Sequence, residues 1–184
     1  LGSSTGNMLV DNQEVLEKLI ELLNIDSFAF KKHEIVEAQN FVKNYLRDLP
    51  INWIEYSSTD PQLAPLLVGK SKNWDEAKPS ITLDGHLDIV YPDTSGFKVE
   101  VRGDKLFGPG TADMKAGIMV ILEAVKALHK SGEFRNMILL FTSEEEHFRT
   151  ASYPDFANIA SSVDTLLVYE GEGSITELQN QREK

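Results

Sequence analysis

Apolar side chains recur at helical spacing in three segments of the chain, which predicts three amphipathic helices. These segments cover residues 12–23, 33–49 and 114–130. Pro50 stands directly after the second, where a helix is expected to stop. Short apolar runs between polar loops predict strands over 51–56, 65–69, 80–83, 136–141 and 164–169. A hairpin is predicted over 98–101 and 105–107, and a short helix over 153–160.

Strands that alternate with helices are typical of an α/β fold, with a mostly parallel sheet covered by helices on both faces. The runs at 136–141 and 164–169 are nearly all apolar, so both are predicted to be strands buried on both sides. A length of 184 residues allows one domain with a sizeable core. We therefore expect a flexible lead-in over 1–11 and one folded unit over 12–184.

Composition narrows the chemistry that this fold can perform. The chain has no cysteine, so any metal must be held by histidine and carboxylate groups. A formal net charge of −11 repels phosphate backbones, which argues against a nucleic-acid partner. Apolar runs are interrupted well before 18 residues, so no helix is expected to span a membrane. The first residues do not form an intact signal peptide, and we place the protein in the cytoplasm.

Ligand-type side chains follow three of the apolar strands. His86 and Asp88 come after 81–83, Glu145 and Glu146 after 138–141, and Glu170 after 166–169. A further carboxylate, that of Asp113, follows a glycine turn just before the third helix. Because sites in open parallel sheets gather beyond the carboxyl ends of the strands, these groups are expected to share one rim. Histidine nitrogen and carboxylate oxygen are common zinc ligands.

The spacing within these motifs suggests separate tasks. In His86-Leu87-Asp88, the carboxylate can reach the ring nitrogen that does not face a metal. The adjacent Glu145 and Glu146 allow one carboxylate to bind a cation while the other accepts a proton.

Each piece also has a plain structural interpretation. His86 can be a hydrogen-bonded loop residue, and Asp113 can cap the following helix. Ser143 to Glu146 fits a capping box, and Glu170 can be a solvated rim carboxylate.

Four stretches, taken in order, resemble a known family. They are GHLDIVYP at 85–92, LFGPGTADMKAGI at 106–118, TSEEEH at 142–147 and VDTLLVYEG at 163–171. The family comprises the dinuclear zinc exopeptidases and amidohydrolases that include glutamate carboxypeptidase, acetylornithine deacetylase and succinyl-diaminopimelate desuccinylase. The resemblance covers nearly the whole chain from residue 12.

The resemblance implies a role for each of these side chains. His86 and Glu170 would ligate one zinc ion, Glu146 would ligate a second, and Asp113 would bridge the two. Glu145 would be the general base, and Asp88 would orient His86. The Asp113–Met114 peptide bond would be cis. The implied reaction is hydrolysis of an amide bond next to a free carboxylate, in a small peptide or an N-acyl amino acid. Cobalt or manganese would suit the same ligands.

Some features depart from the family pattern. Phe148 stands where relatives often have a small residue, and Gly171 stands where they often have proline. The four histidines are His33, His86, His129 and His147, and none follows Glu170 to complete the second metal site. His147 directly follows Glu146, and neighbouring side chains on a helix diverge by about 100°, which disfavours it as a substitute.

The departures and the missing ligand lead to two expectations. We expect the chain to be the N-terminal portion of a metallopeptidase catalytic domain, inactive alone, whose parent forms a homodimer through a lid domain. An uncovered sheet edge would lower its stability or pair it with a second copy. The alternatives are a non-catalytic binding or assembly domain and, less favoured, an α/β domain with an acidic rim and no metal.

Overall fold

The computed structural model describes residues 12–147, 153, 155, 158–159 and 163–170. The expected lead-in lies outside this part of the chain, as do Phe148, Gly171 and half of the residues of the short helix predicted over 153–160. The helices are α1 (Asn12–Leu23), α2 (Lys32–Tyr45) and α3 (Ala116–Lys130). The strands are β1 (Ile51–Tyr56), β2 (Leu66–Ser71), β3 (Ile81–His86), β4 (Glu100–Arg102), β5 (Lys105–Phe107), β6 (Met137–Thr142) and β7 (Thr165–Val168).

Five strands form one sheet in the order β1-β2-β6-β3-β7, and β4 pairs with β5 in a separate hairpin. β3 runs parallel to both β6 and β7, while β2 is antiparallel to β6 and to β1. Four of the five strands therefore point the same way, which confirms the mostly parallel α/β sheet. The carboxyl ends of β3, β6 and β7 meet at one edge.

The two faces of the sheet are covered by different parts of the chain. Along β6, Leu139 and Phe141 pack under α1, α2 and α3, whereas Ile138 and Leu140 pack against Tyr153 and Ile159 on the other face. This alternation is the period of two that a strand imposes on its side chains. All six residues of β6 are buried, as the apolar run predicted.

The prediction that the last strand is buried is wrong. Leu166, Leu167 and Val168 of β7 are 51%, 43% and 50% exposed. Among the described strands, β7 pairs with β3 alone and forms the edge of the sheet. An apolar run predicts a strand, but burial depends on neighbours that are distant in sequence.

Two predicted helix bounds also differ from the structure. α2 ends at Tyr45 rather than near residue 49, because the chain tightens there into turns in which Arg47 N–H donates to the Asn44 oxygen and Leu49 N–H to the Leu46 oxygen. α3 begins at Ala116 and is preceded by a single wide turn over Thr111–Lys115. No helix in the described part of the chain is long and apolar enough to cross a membrane.

Candidate metal centre

His86 is the last residue of β3 and is 1% exposed. Its ring Nδ1 lies 2.9 Å from the backbone oxygen of Asp88, and its Nε2 lies 2.8 Å from Asp113 Oδ1. Both ring nitrogens therefore face oxygen acceptors, an arrangement that favours the imidazolium form. Burial alone lowers the pKa of His86, but the carboxylates of Asp88, Asp113 and Glu170 outweigh it and raise the pKa to about 10.

Asp88 joins the end of β3 to the turn that follows β6. Its buried carboxylate accepts the backbone N–H groups of Glu145 at 3.2 Å and Glu146 at 3.1 Å. The same carboxylate lies 3.4 Å from His86 Nδ1. The closer partner of that nitrogen is the backbone oxygen of Asp88, so the predicted contact between carboxylate and ring exists but is the longer of the two.

Asp113 reaches the site from a turn of irregular geometry. Gly110 opens the turn with φ +73°, a conformation that favours glycine, and the backbone is non-helical at Asp113 and Met114. The Asp113–Met114 peptide bond is cis, as the resemblance implied. No side chain caps α3 with a hydrogen bond, so the capping interpretation of Asp113 is not supported.

Three ligand-type side chains converge here. A nitrogen of His86 and carboxylate oxygens of Asp113 and Glu146 all lie within 4.8 Å of one another. Glu170 Oε1 lies 3.7 Å from His86 Nε2 and borders this group. We call these four residues the metal group.

The carboxylates of the metal group repel one another. Burial, followed by the charge of Asp113, raises the pKa of Glu146. Burial also raises the pKa of Glu170 to about 7, assisted by the charge of Asp113 and a hydrogen bond to it. Acidic groups that crowd in this way favour a bound cation, and nitrogen and oxygen donors of this kind suit zinc.

Other candidates from the sequence do not join the metal group. The 3₁₀ turn Glu145–His147 leaves Glu145 exposed, although its charge acts on Glu146 and Glu170. The His147 ring packs edge-on against Phe28 at 4.9 Å and Phe30 at 5.3 Å. The Ser143 hydroxyl contacts Gln39 and Pro65, so the predicted capping box does not form.

Two charged residues were missed by the sequence analysis, of which Asp84 is half-buried and Lys115 is fully buried. Asp84 lies on β3 two residues before His86, and burial raises its pKa to about 6 against the opposing effect of His86. Lys115 is fully buried next to the Asp113 turn. Burial lowers the pKa of Lys115 to about 7, against the charges of Asp26, Asp88 and Glu37. The sequence feature that could have identified Asp84 and Lys115 is a charged residue inside an otherwise apolar segment.

Removing the negative charge of Asp88 should loosen the centre. The two carboxylate oxygens of Asp88 each accept one backbone N–H. In Asp88→Asn, an amide NH₂ replaces one of these oxygens, so one of the two backbone N–H groups loses its acceptor. We expect the free energy of unfolding to fall by about 1–3 kcal/mol. Urea denaturation measures this loss. Asp104→Asn, at an exposed position in the β4–β5 turn, is the matched control. Equal stability of the two variants would contradict the structural role of Asp88.

Gly117 allows the end of β7 to approach α3, and so helps to place Glu170. A Cβ atom at this position would lie 2.1 Å from the backbone oxygen of Tyr169. Gly117→Ala gains about 1 kcal/mol of helix propensity. The clash with a backbone oxygen outweighs this gain, so we expect a net loss of about 1–2 kcal/mol in thermal or urea unfolding. Gly96→Ala is the control, because a Cβ there meets nothing within 4 Å. A more stable Gly117→Ala variant would refute this packing.

Comparison with known proteins connects this geometry to a family. Residues 82–179, more than half of the chain, match peptidase family M20/M25/M40. The chain is 30% identical over 162 residues to carboxypeptidase G2 of Pseudomonas sp. (strain RS-16). The matched region covers 85% of this chain but 38% of that protein. The chain thus spans well under half the length of this relative.

Solved structures agree on the fold. The structure resembles aminopeptidase PepT from Bacillus cereus with a TM-score of 0.71 at 21% identity, covering 88% of this chain and 44% of that one. It resembles human carnosine dipeptidase 1 with a TM-score of 0.70 at 19% identity, and the match covers 85% of this chain and 38% of that one. At identities this low, the likeness to these two structures establishes a shared fold.

Proposed function

Because this chain belongs to peptidase family M20/M25/M40, we propose that its parent protein is a zinc-dependent hydrolase of an amide bond next to a free carboxylate. The observation that carries the proposal is the convergence of an imidazole nitrogen and carboxylate oxygens within 4.8 Å. Those atoms come from three separate segments of the chain, and nitrogen and carboxylate oxygen donors gathered in this way are common zinc ligands.

The metal group would hold the ions. His86 and Glu170 are proposed as ligands of one zinc, Glu146 as a ligand of a second, and Asp113 as the bridge. Bound zinc would supply Lewis-acid stabilisation of the charge that develops on the scissile carbonyl oxygen. Cobalt and manganese suit the same donor set.

Glu145 is the proposed general base. Its exposed carboxylate can take a proton from the attacking water and return it to the leaving amine. Asp88 holds the backbone N–H of Glu145 and also lies against His86, so it fixes the position of the base relative to a ligand. This arrangement matters because proton transfer needs a reach of about 2.6–3.2 Å between heavy atoms.

The substrate is proposed to be a small peptide or an N-acyl amino acid. The similarity to a protein named carboxypeptidase G2, and to succinyl-diaminopimelate desuccinylases, supports this class. A cavity of about 250 Å³ opens beside Asp113 and Glu146 and is lined in part by Ile89, Tyr91 and Pro109. Its position would place a substrate group next to the metal group.

We propose little or no turnover by the 184-residue chain alone. Among the described residues, His86 is the single imidazole in the metal group, which leaves the second proposed zinc with fewer ligands than the first. The homodimer and the cytoplasmic location of the parent protein stay predictions from the sequence.

Zinc titration by calorimetry tests the proposal. We expect one moderately tight ion and a second, weaker one. Zinc must displace the proton of His86, whose pKa is near 10, so binding should tighten with pH. The apparent affinity should rise by up to about tenfold per unit between pH 6.5 and 8.5. Absence of binding, or affinity that falls as pH rises, would contradict the assignment.

A further inference from the structure

Lys115 differs from every other lysine in the described part of the chain, because it alone is fully buried. Its Nζ donates hydrogen bonds to the backbone oxygens of Leu22 at 3.1 Å and Ile25 at 2.6 Å. Leu22 lies in the last turn of α1 and Ile25 lies two residues beyond its end. Each oxygen also accepts one backbone N–H, so the lysine adds a second, charged donor at the negative end of the helix dipole. A lysine more than 90 residues away therefore caps α1.

The same lysine belongs to the turn that presents Asp113. Its backbone N–H donates to the Gly110 oxygen at 2.8 Å, which closes the turn. A Cβ on Gly110 would lie 3.2 Å from Lys115 Cδ, so the turn is wrapped closely around the lysine stem. A side chain at position 110 would disturb that packing.

The Asp113 carboxylate contacts His86 Nε2 at 2.8 Å and hydrogen-bonds with Glu170, which are both members of the metal group. Its side chain is 60% exposed, and the neighbouring backbone is not helical. Where the turn sits therefore decides whether the carboxylate reaches these partners. Lys115 and Met114 Sδ, which lies 3.1 Å from the His86 backbone nitrogen, attach the turn from two sides.

We infer that Lys115 is a positioning residue for the metal group, which fixes the Thr111–Lys115 turn, and with it Asp113, to the end of α1. The inference rests on the proposed function, since it supposes that the metal group binds metal. The Lys115 amine bonds backbone oxygens near the end of α1, and Lys115 is not among the residues that line the cavity, so its effect must pass through the turn. The end of α1 and the metal group are thereby coupled.

Chemical modification can separate the terminal nitrogen from the bulk of the side chain. The chain has no cysteine, so a Lys115→Cys variant carries a single thiol. Alkylation with 2-bromoethylamine in denaturant gives a side chain of lysine length that ends in an amine. Alkylation with 1-bromopropane gives one of the same length that ends in a methyl group. Both products and the wild-type chain are then refolded in the same way.

Zinc affinity by competition with a chelator and the visible absorption spectrum of bound cobalt are the two readouts. We expect the aminoethyl form to bind zinc within about threefold of the wild-type chain, and the propyl form about 10- to 100-fold more weakly with a changed cobalt spectrum. Equal affinity and equal spectra of the two alkylated forms would overturn the inference.

Two genetic variants cover the case in which the modified proteins do not refold. Lys115→Met should lose zinc affinity, whereas Val125→Ala, which opens a cavity in α3 away from the turn, should lose stability but keep zinc affinity. Equal losses of affinity would mean general destabilisation and would overturn the inference. If the wild-type chain binds no zinc, or binds it as well as His86→Ala does, the proposed function and the inference both fail. Undiminished binding by Lys115→Met removes the inference alone.

Discussion

The His86→Ala variant is expected to bind zinc at least about 100-fold more weakly than the wild-type chain, since it removes a proposed metal ligand outright. His86 provides the only nitrogen donor of the metal group within the described residues, and carboxylates alone suit zinc less well. Competition with a chromophoric chelator measures the loss. His33→Ala, at an exposed position on α2, is the matched control.

His86→Ala also removes the buried partner of Asp88, so it is expected to lower the stability of the chain. Asp113→Asn provides a second variant, because that side chain is mostly exposed. Asp113→Asn should weaken zinc binding while leaving the unfolding midpoint nearly unchanged. Zinc affinity equal to wild type in both variants would exclude the proposed site.

In the complete protein, Glu145→Gln is expected to reduce kcat by about 10²- to 10⁴-fold, because an amide cannot accept the proton of the attacking water. The metal content should not change, since Glu145 lies outside the metal group. Release of amino acid from an N-acylated substrate, together with metal analysis of the purified protein, measures both properties. Glu76→Gln, at an exposed position in the loop before β3, is the control.

The outcome separates two functions. Retained turnover in Glu145→Gln would remove this residue as the base. If the complete wild-type protein, loaded with zinc or cobalt, cleaves no acyl-amino acid or dipeptide, the enzyme assignment fails. The alternative of a binding or assembly domain that keeps the peptidase fold would then stand.

The sequence predicted elements well where a local pattern is strong. The bounds of α1 agree with the observed helix, and the apolar run at 136–141 matches β6 to within a residue. The alternation of strands and helices predicts the parallel arrangement, which places His86 and Glu146 at one edge of the sheet. Period and order along the chain are local properties, so a single sequence records them.

The remaining features depend on contacts across the molecule. The exposure of Val168 follows from the edge position of β7, which no run of apolar letters records. The close partner of His86 Nδ1 is a backbone oxygen, and backbone groups are identical in every residue. The contacts of Lys115 with Leu22 and Ile25 join parts of the chain that are 93 and 90 residues apart. Patterns of side-chain type cannot specify such pairings.

The shared carboxylate of Asp88 limits how this centre can change over evolution or by design. It touches the imidazole of His86 and the backbone of Glu145 and Glu146 at the same time. Transplanting the histidine motif to a different scaffold without the acidic turn would leave that carboxylate buried and short of donors. A design that grafts this centre must therefore carry the two segments as one unit.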